Sequence, residues 1–304
     1  VYHLPPMAGD AARHYAEMVD AVARQRERLL GETSLASRWD RSAPGDRFDP
    51  LRPLDANLEV VASYIRPGDT LIDVGGGAGR VGLPLARRCA HLTNVEPSEG
   101  MGRAFLALAS EAAITNVTLV QSPWESSPEV VADVVMSADV TYFVAGIVPF
   151  IARLQRSAHR RVVLWTWSVP PPNLNASLFE LVFGEPKAPV PGYRELLAVL
   201  DEMGIAAENR PLPEPFTWPE SRPTTVAQAV KFALQAVEAP ATPTNVGRVE
   251  AALPQLFTEG PAGFEPAWRP RAEGLLLTWG PDPEGGVRLL RPGRSKRQAV
   301  SLRC

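Results

Sequence analysis

The sequence predicts an α/β chain built on a doubly wound, mostly parallel seven-stranded sheet. A helical segment precedes the sheet, and extra helices come before the last strand. Three observations lead there. Short apolar runs alternate with amphipathic stretches from residue 70 to 167, the pattern of parallel strands with helices on both faces. A glycine-dense stretch, Gly75 to Gly79, sits between the first run and the next helical stretch. An acidic residue, Glu96, ends the second run.

The elements follow in order. Tyr15, Met18, Val19, Val22 and Leu29 fall at helical spacing over residues 10–31, with Arg24, Arg26, Glu27 and Arg28 on the wet side. Residues 54–65 read as a second helix, and Pro67-Gly68-Asp69 as a turn. Strands are predicted at 70–74, 91–95, 117–121, 133–137 and 161–167, with helices at 80–90, 99–113 and 147–157. Beyond a proline-rich connection the reading is helix 192–203, strand 205–218, helices 225–237 and 245–257, and strand 274–279. The chain has 31 prolines. Their clustering after residue 168 reads as stiff loops between short elements, not as a second regular domain.

Composition narrows the function classes. Net charge is -3, which argues against a general nucleic-acid binder. The basic cluster Arg291, Arg294, Lys296 and Arg297 reads as a solvated tail. Cys89 and Cys304 are the two cysteines, too few for a metal-ligand spacing or a disulfide framework, so no metal is expected and a reducing cytoplasm fits. No apolar run approaches the roughly 18 residues of a membrane span. Residues 1–10 do not read as a signal peptide.

The loop after the first strand is Asp73-Val74-Gly75-Gly76-Gly77-Ala78-Gly79-Arg80. A strand before it and a helix after it are the context of a nucleotide-type loop. The dinucleotide fingerprint G-x-G-x-x-G/A is not met from Gly75, because its last position is Arg80. Counting from Gly77 does fit, but begins one turn too far into the helix. The pattern is instead an acidic residue followed by x-G-x-G-x-G. In this the chain resembles class I S-adenosylmethionine-dependent methyltransferases, whose first motif has that form at the end of the first strand. The resemblance is specific over residues 50–170 and topological over 190–280. It extends to the broad group of small-molecule methyltransferases that share the ubiquinone and menaquinone methyltransferase-type domain.

The resemblance implies a Rossmann-like methyltransferase fold, S-adenosylmethionine as cofactor and a set of contacts. Gly75, Gly76, Gly77 and Gly79 would let the donor pass close to the backbone. Asp73 would place a carboxylate near the cationic methionine end, or else serve as a buried acceptor for backbone N–H groups. Glu96 lies 21 residues after Gly75, a spacing that suits acceptance from ribose hydroxyls. Pro97 and Met101 would border the ribose and adenine. In the loop after the third strand, Ser122 and Pro123 stand where the family often has an acidic residue, which leaves the adenine contact open. Trp124 would either flank the adenine ring or cap the core. Asp139, Val140 and Tyr142, after the fourth strand, would lie where donor meets acceptor, with Asp139 and Tyr142 as candidates for proton transfer.

The domain reading is an N-terminal helical lid at 1–57, a methyltransferase domain at 58–280 and a tail at 281–304. Trp39 and Phe48 lie in a stretch too poor in apolar neighbours to form its own core, so the segment is expected to fold over the cofactor edge. The functional expectation is methyl transfer to a small-molecule acceptor. Alternatives are an RNA- or protein-directed methyltransferase, a non-catalytic adenosyl-binding subunit, and an NAD-dependent oxidoreductase. The last lacks a Tyr-x-x-x-Lys pair, since Gly146 stands four residues after Tyr142. Nucleic acid is disfavoured further because Ser137-Ala138-Asp139-Val140 replaces the Asn/Asp-Pro-Pro-Tyr signature of amino-methylating enzymes.

Overall fold

The structure is a computed structural model describing residues 9–31, 39–40, 47–216, 222–260 and 263–281. The basic cluster at 291–297 lies outside the described residues. Strands β1 (Thr70–Val74), β2 (His91–Val95), β3 (Val117–Val120), β4 (Ala132–Ala138), β5 (Ala158–Trp167) and β6 (Glu208–Pro215) precede a short hairpin of β7 (Phe257–Gly260) and β8 (Gly263–Pro266), then β9 (Glu273–Trp279). The main sheet has seven strands in the order β3-β2-β1-β4-β5-β9-β6. Neighbours from β3 to β5 pair in parallel, and β9 runs antiparallel to both β5 and β6. The order reverses between β1 and β4, and ligands of open α/β sheets bind outside the strand ends at such a switch point.

Alternation along each strand sorts side chains to two layers, because successive residues point to opposite faces. Leu71, Val134, Met136, Val163 and Trp165 face one core. Ile72, Val74, Val135, Val162 and Leu164 face the other. The first core is covered by helices α2 (Ala56–Ala62), α3 (Gly82–Ala86) and α4 (Glu99–Glu111), through Leu58, Leu83, Leu85 and Phe105. The second is covered by α1 (Asp10–Leu30), α5 (Ile147–Ser157) and the helix Tyr193–Glu202, through Tyr15, Phe150, Ile151 and Leu200. Helix α1 is thus a core-packing helix. Its fully buried Tyr15 donates its hydroxyl to the carbonyl of Thr141 at 2.8 Å.

Four expectations are corrected. The helix predicted at 80–90 is only Gly82–Ala86, because the chain closes into a tight turn, with the Arg88 N–H on the Leu85 carbonyl, and returns toward Asp69. Strand β5 starts at Ala158 rather than Arg161. Strand β6 spans Glu208–Pro215, and Trp218 lies outside the described residues. The proline-rich connection holds an unforeseen helix, α6 (Ala176–Phe183). There Leu178, Phe179 and Val182 face one side, and Gly184, at φ +75°, caps the end with its N–H on the Glu180 carbonyl. With α7 as Tyr193–Glu202, the remaining helices are α8 (Val226–Ala236) and α9 (Pro243–Leu256). They join α6 and the β7–β8 hairpin in a third apolar cluster.

Candidate functional site

The strand-end residues singled out in the sequence come to the carboxyl edges of β1 to β4, or to the loops just beyond them. The four loop glycines do different things there. A Cβ on Gly75 would meet Val140 Cγ2 at 2.5 Å, and one on Gly79 would meet Leu83 Cγ at 2.5 Å. One on Gly76 would meet the Asp73 carboxyl carbon at 2.6 Å and Asn94 Oδ1 at 2.7 Å. These three are small because the protein fills the space beside them. Gly77 differs. Among the described residues, its Cβ position meets only Met101 Sδ, at 3.8 Å, and its φ of +56° is in the left-handed region that favours glycine. The Gly77 face is therefore the side of the loop that a ligand can approach, with buried Met101 at its edge.

Glu96 is 5% exposed and turns back to the loop. Its Oε2 accepts from the Gly77 N–H at 3.0 Å and its Oε1 from the Ser98 N–H at 2.8 Å. Burial raises its pKa, the two N–H donors oppose that, and the nearby Asp40 charge adds to it. Each carboxylate oxygen keeps a further lone pair for a ligand hydroxyl. Ser98 caps α4 through its hydroxyl, which accepts from the Met101 N–H at 3.1 Å. That hydroxyl donates in turn to Asp40 Oδ1 at 2.6 Å, and the Gly100 N–H donates to the same oxygen at 2.9 Å. Asp40 thereby ties the N-terminal segment to the end of β2. Those bonds hold its carboxyl below the usual range. Pro97 is exposed beside them.

Asp73 lies under the loop. It is 1% exposed, and its pKa is pushed up to about 7, mainly by burial, with the Arg80 charge opposing and Glu96 reinforcing. Burial and a hydrogen bond from the Gly82 N–H place it as a buried acceptor under the loop.

The loop after β4 holds a second polar group. Asp139 has φ +62°, a conformation that Asp tolerates better than most side chains. Its Oδ2 accepts from Arg80 Nη2 at 2.7 Å, and its Oδ1 from the Trp167 indole N–H at 2.7 Å. Burial raises its pKa, while Arg80 and Trp167 oppose that. Tyr142 is 1% exposed. Its hydroxyl is 3.0 Å from Thr166 Oγ1 and accepts from the Trp167 N–H at 3.1 Å. Burial drives its pKa well above the ordinary tyrosine value, so Tyr142 is a poor proton acceptor near neutral pH. Trp39 packs edge-on to Phe143 with ring centres 5.9 Å apart. The N-terminal segment thus reaches this loop too.

Trp124 is corrected as a base-flanking candidate. It is 4% exposed in the second core, with Arg153 over its ring at 4.5 Å and its indole N–H on the Phe150 carbonyl. One face of the indole carries the Arg153 guanidinium, its N–H is taken by the Phe150 carbonyl, and the ring is buried, so little of it is presented to a base. Exposed Pro123 precedes it. Val140 is half-buried against Gly75. Sequence reasoning gave no role to Arg80, Asn94, Asp40 or Trp167. The signal for Arg80 was its position, directly after the last loop glycine.

Among the described residues, no three His, Cys, Asp or Glu side chains are grouped to hold a metal ion, and no helix is long and apolar enough to cross a membrane. A separate cleft of about 200 Å³ is lined by Arg52, Pro53, Leu54, Pro84, Arg87 and Arg88. None of the strand-end residues lines it.

Residues 72–165 match the family described as "Methyltransferase domain". Among curated proteins, the chain is 34% identical over 89 residues to a ribosomal RNA small subunit methyltransferase G of Mycolicibacterium gilvum, covering 29% of this chain and 34% of that protein. It is 36% identical over 113 residues to the protein of the same name from Sodalis glossinidius, covering 34% and 53%. The chain thus spans about a third to a half of the length of these relatives. Among solved structures, the YcgJ protein from Bacillus subtilis superposes with a TM-score of 0.49 at 14% identity, over 73% of this chain and 96% of that one. A SAM-dependent methyltransferase from Geobacter sulfurreducens superposes with a TM-score of 0.48 at 16% identity, over 79% and 96%. The stretch that matches the methyltransferase domain family holds the glycine loop, Glu96 and Asp139.

Proposed function

We propose that this chain transfers the methyl group of S-adenosylmethionine to a small-molecule acceptor held above the carboxyl ends of β4 and β5. The observation that carries the reading is the open face of Gly77 beside the Glu96 carboxylate. When bound, S-adenosylmethionine supplies a methyl carbon made electrophilic by its sulfonium. The chain's own part is to bind, align and exclude water, which suffices for much of a displacement of this kind. Gly77 and Met101 would bound the ligand, and the free lone pairs of Glu96 would accept from ribose hydroxyls. Asp139 is the candidate to take a proton from an acceptor, since burial raises its affinity for one while Arg80 and Trp167 orient it. Tyr142 would orient the loop through Thr166 and Trp167.

The N-terminal segment would act as a lid through Trp39, Asp40 and residues 47–53. Its support is the attachment of Asp40 to Ser98 and Gly100, and of Arg52 Nη2 to the Arg80 carbonyl at 2.6 Å. Hydrogen exchange tests it. Trp39, Asp40 and residues 47–53 gain protection when S-adenosylhomocysteine is added, and an unchanged segment removes the lid. Donor binding itself is tested by calorimetry and thermal melting. At about 100 times its dissociation constant, S-adenosylhomocysteine should stabilise the fold by roughly 2.7 kcal/mol. Absence of binding would remove the reading.

A second reading, RNA as acceptor, is favoured by the names of the curated relatives and by the three arginines of the cleft beside α3. Transfer of a labelled methyl group to ribosomal RNA or to a small-molecule extract separates the two.

A further inference from the structure

We infer that Asp73 is a neutral carboxylic acid that donates a hydrogen bond to Asn94 Oδ1, and so fixes the Gly77 peptide as a positioning residue for the adenosyl donor. The donor part of this inference rests on the proposed function; the protonated acid does not.

The argument is one of hydrogen-bond polarity. Asp73 and Asn94 are register partners on the adjacent parallel strands β1 and β2, and both side chains are buried. Asp73 Oδ2 and Asn94 Oδ1 lie 2.6 and 2.7 Å from the point where a Cβ on Gly76 would stand, so the carboxyl and the amide oxygen share that corner. Among the described residues, Asp73 Oδ1 and Asn94 Oδ1 are each buried without a hydrogen-bond partner. The amide of Asn94 cannot be turned round to relieve this. Its Nδ2 donates to the Gly77 carbonyl at 3.0 Å, and a carbonyl only accepts. Asn94 Oδ1 is therefore left as an acceptor, on the side of Gly76 where the Asp73 carboxyl also stands. Two acceptors side by side in a dry site are costly, and a proton on one of them removes the conflict.

With that proton, the polarity runs consistently. The Asp73 O–H donates to Asn94, Asn94 Nδ2 donates to the Gly77 carbonyl, and the Gly77 N–H donates to Glu96 Oε2. Both ends of the left-handed Gly77 residue are held, one by a neutral acid through an amide and the other by a carboxylate. The charged groups acting on Asp73 are Arg80, which favours ionisation, and Glu96, which opposes it. The Gly82 N–H also favours the ionised form, but burial outweighs these and pushes the carboxyl pKa up to about 7. Its folded pKa is raised, so its contribution to stability is full at low pH and is lost as pH rises through about 7.

The test uses the cofactor-free protein first. An infrared difference spectrum between wild type and Asp73→Asn at about pH 6 should show a carboxylic-acid carbonyl band that disappears as pH passes 7. Absence of that band overturns the inference, because a carboxylate bridged to Asn94 by water would leave none. The second arm is calorimetry with S-adenosylhomocysteine. Wild-type affinity should fall above pH 7 by up to about tenfold per pH unit. Asp73→Asn, which keeps a neutral donor, should bind with a pH-independent affinity close to the wild-type value at low pH. Loss of more than about tenfold in Asp73→Asn at pH 6, with an unchanged melting temperature, overturns the positioning role. If the acid band is present but wild type binds no S-adenosylhomocysteine at any pH, the donor reading fails and the Asp73–Asn94 bond stands.

Discussion

Arg80 and Asp139 face each other across the carboxyl ends of β1 and β4, with Arg80 Nη2 2.7 Å from Asp139 Oδ2. The pair links the glycine loop to the loop after β4. Burial raises the Asp139 pKa and Arg80 opposes the rise, so Arg80 favours the ionised form of Asp139. Arg80→Ala should therefore destabilise the protein little where Asp139 is protonated and increasingly as pH rises and Asp139 ionises. The side chains are 38% and 23% exposed, so the loss at high pH should be modest, about 1–2 kcal/mol. Urea unfolding at a series of pH values measures it. A loss that shrinks as pH rises would show that the pair does not couple the two loops.

Gly77→Val should abolish binding of S-adenosylhomocysteine while the fold persists. The side chain would enter the open face and impose a β-branched residue at φ +56°, at a backbone cost of about 1–2 kcal/mol. Gly68→Ala is the control, since nothing among the described residues lies within 4 Å of its Cβ position. Calorimetry should show binding in the control and none in the valine variant, with similar circular dichroism spectra.

Glu96→Ala should weaken the donor by at least roughly 1.5–3 kcal/mol, the range for hydrogen bonds to a charged group. The loss has two sources, the ribose contacts and the released Gly77 and Ser98 N–H groups. Glu96→Gln should lie between Glu96→Ala and wild type, because the amide keeps one acceptor. An affinity change below about threefold in the alanine variant, less than 1 kcal/mol, would mean that the carboxylate serves only its own loop.

Trp124→Ala should behave as a core truncation. Loss of a buried indole costs about 3–5 kcal/mol, read as a lower denaturant midpoint. Once folded, the variant should bind S-adenosylhomocysteine with unchanged affinity. A selective loss of affinity with little loss of stability would restore the base-flanking role.

The order of elements from 70 to 167 was legible because it rests on local rules. Period-two alternation put Leu71 and Ile72 on opposite faces, glycines marked the loop after β1, and the spacing from Gly75 to Glu96 paired two strand ends. Helix α6 and the β7–β8 hairpin were not legible. Each is short, and each is stabilised by the third apolar cluster, whose members come from distant parts of the chain. The carboxyl edge of the sheet as the site was also readable, since strand ends and loop glycines are local features. What each polar side chain does there was decided by tertiary contacts. Whether Trp124 met a base or the core depended on Arg153 and Phe150 of α5. That Asp73 is buried beside Asn94 depended on a neighbouring strand and on α3 closing over it. Sequence periodicity specifies which face a residue takes; burial, hydrogen-bond polarity and charge arise only when separate segments meet, and those determine a side chain's protonation and its partners.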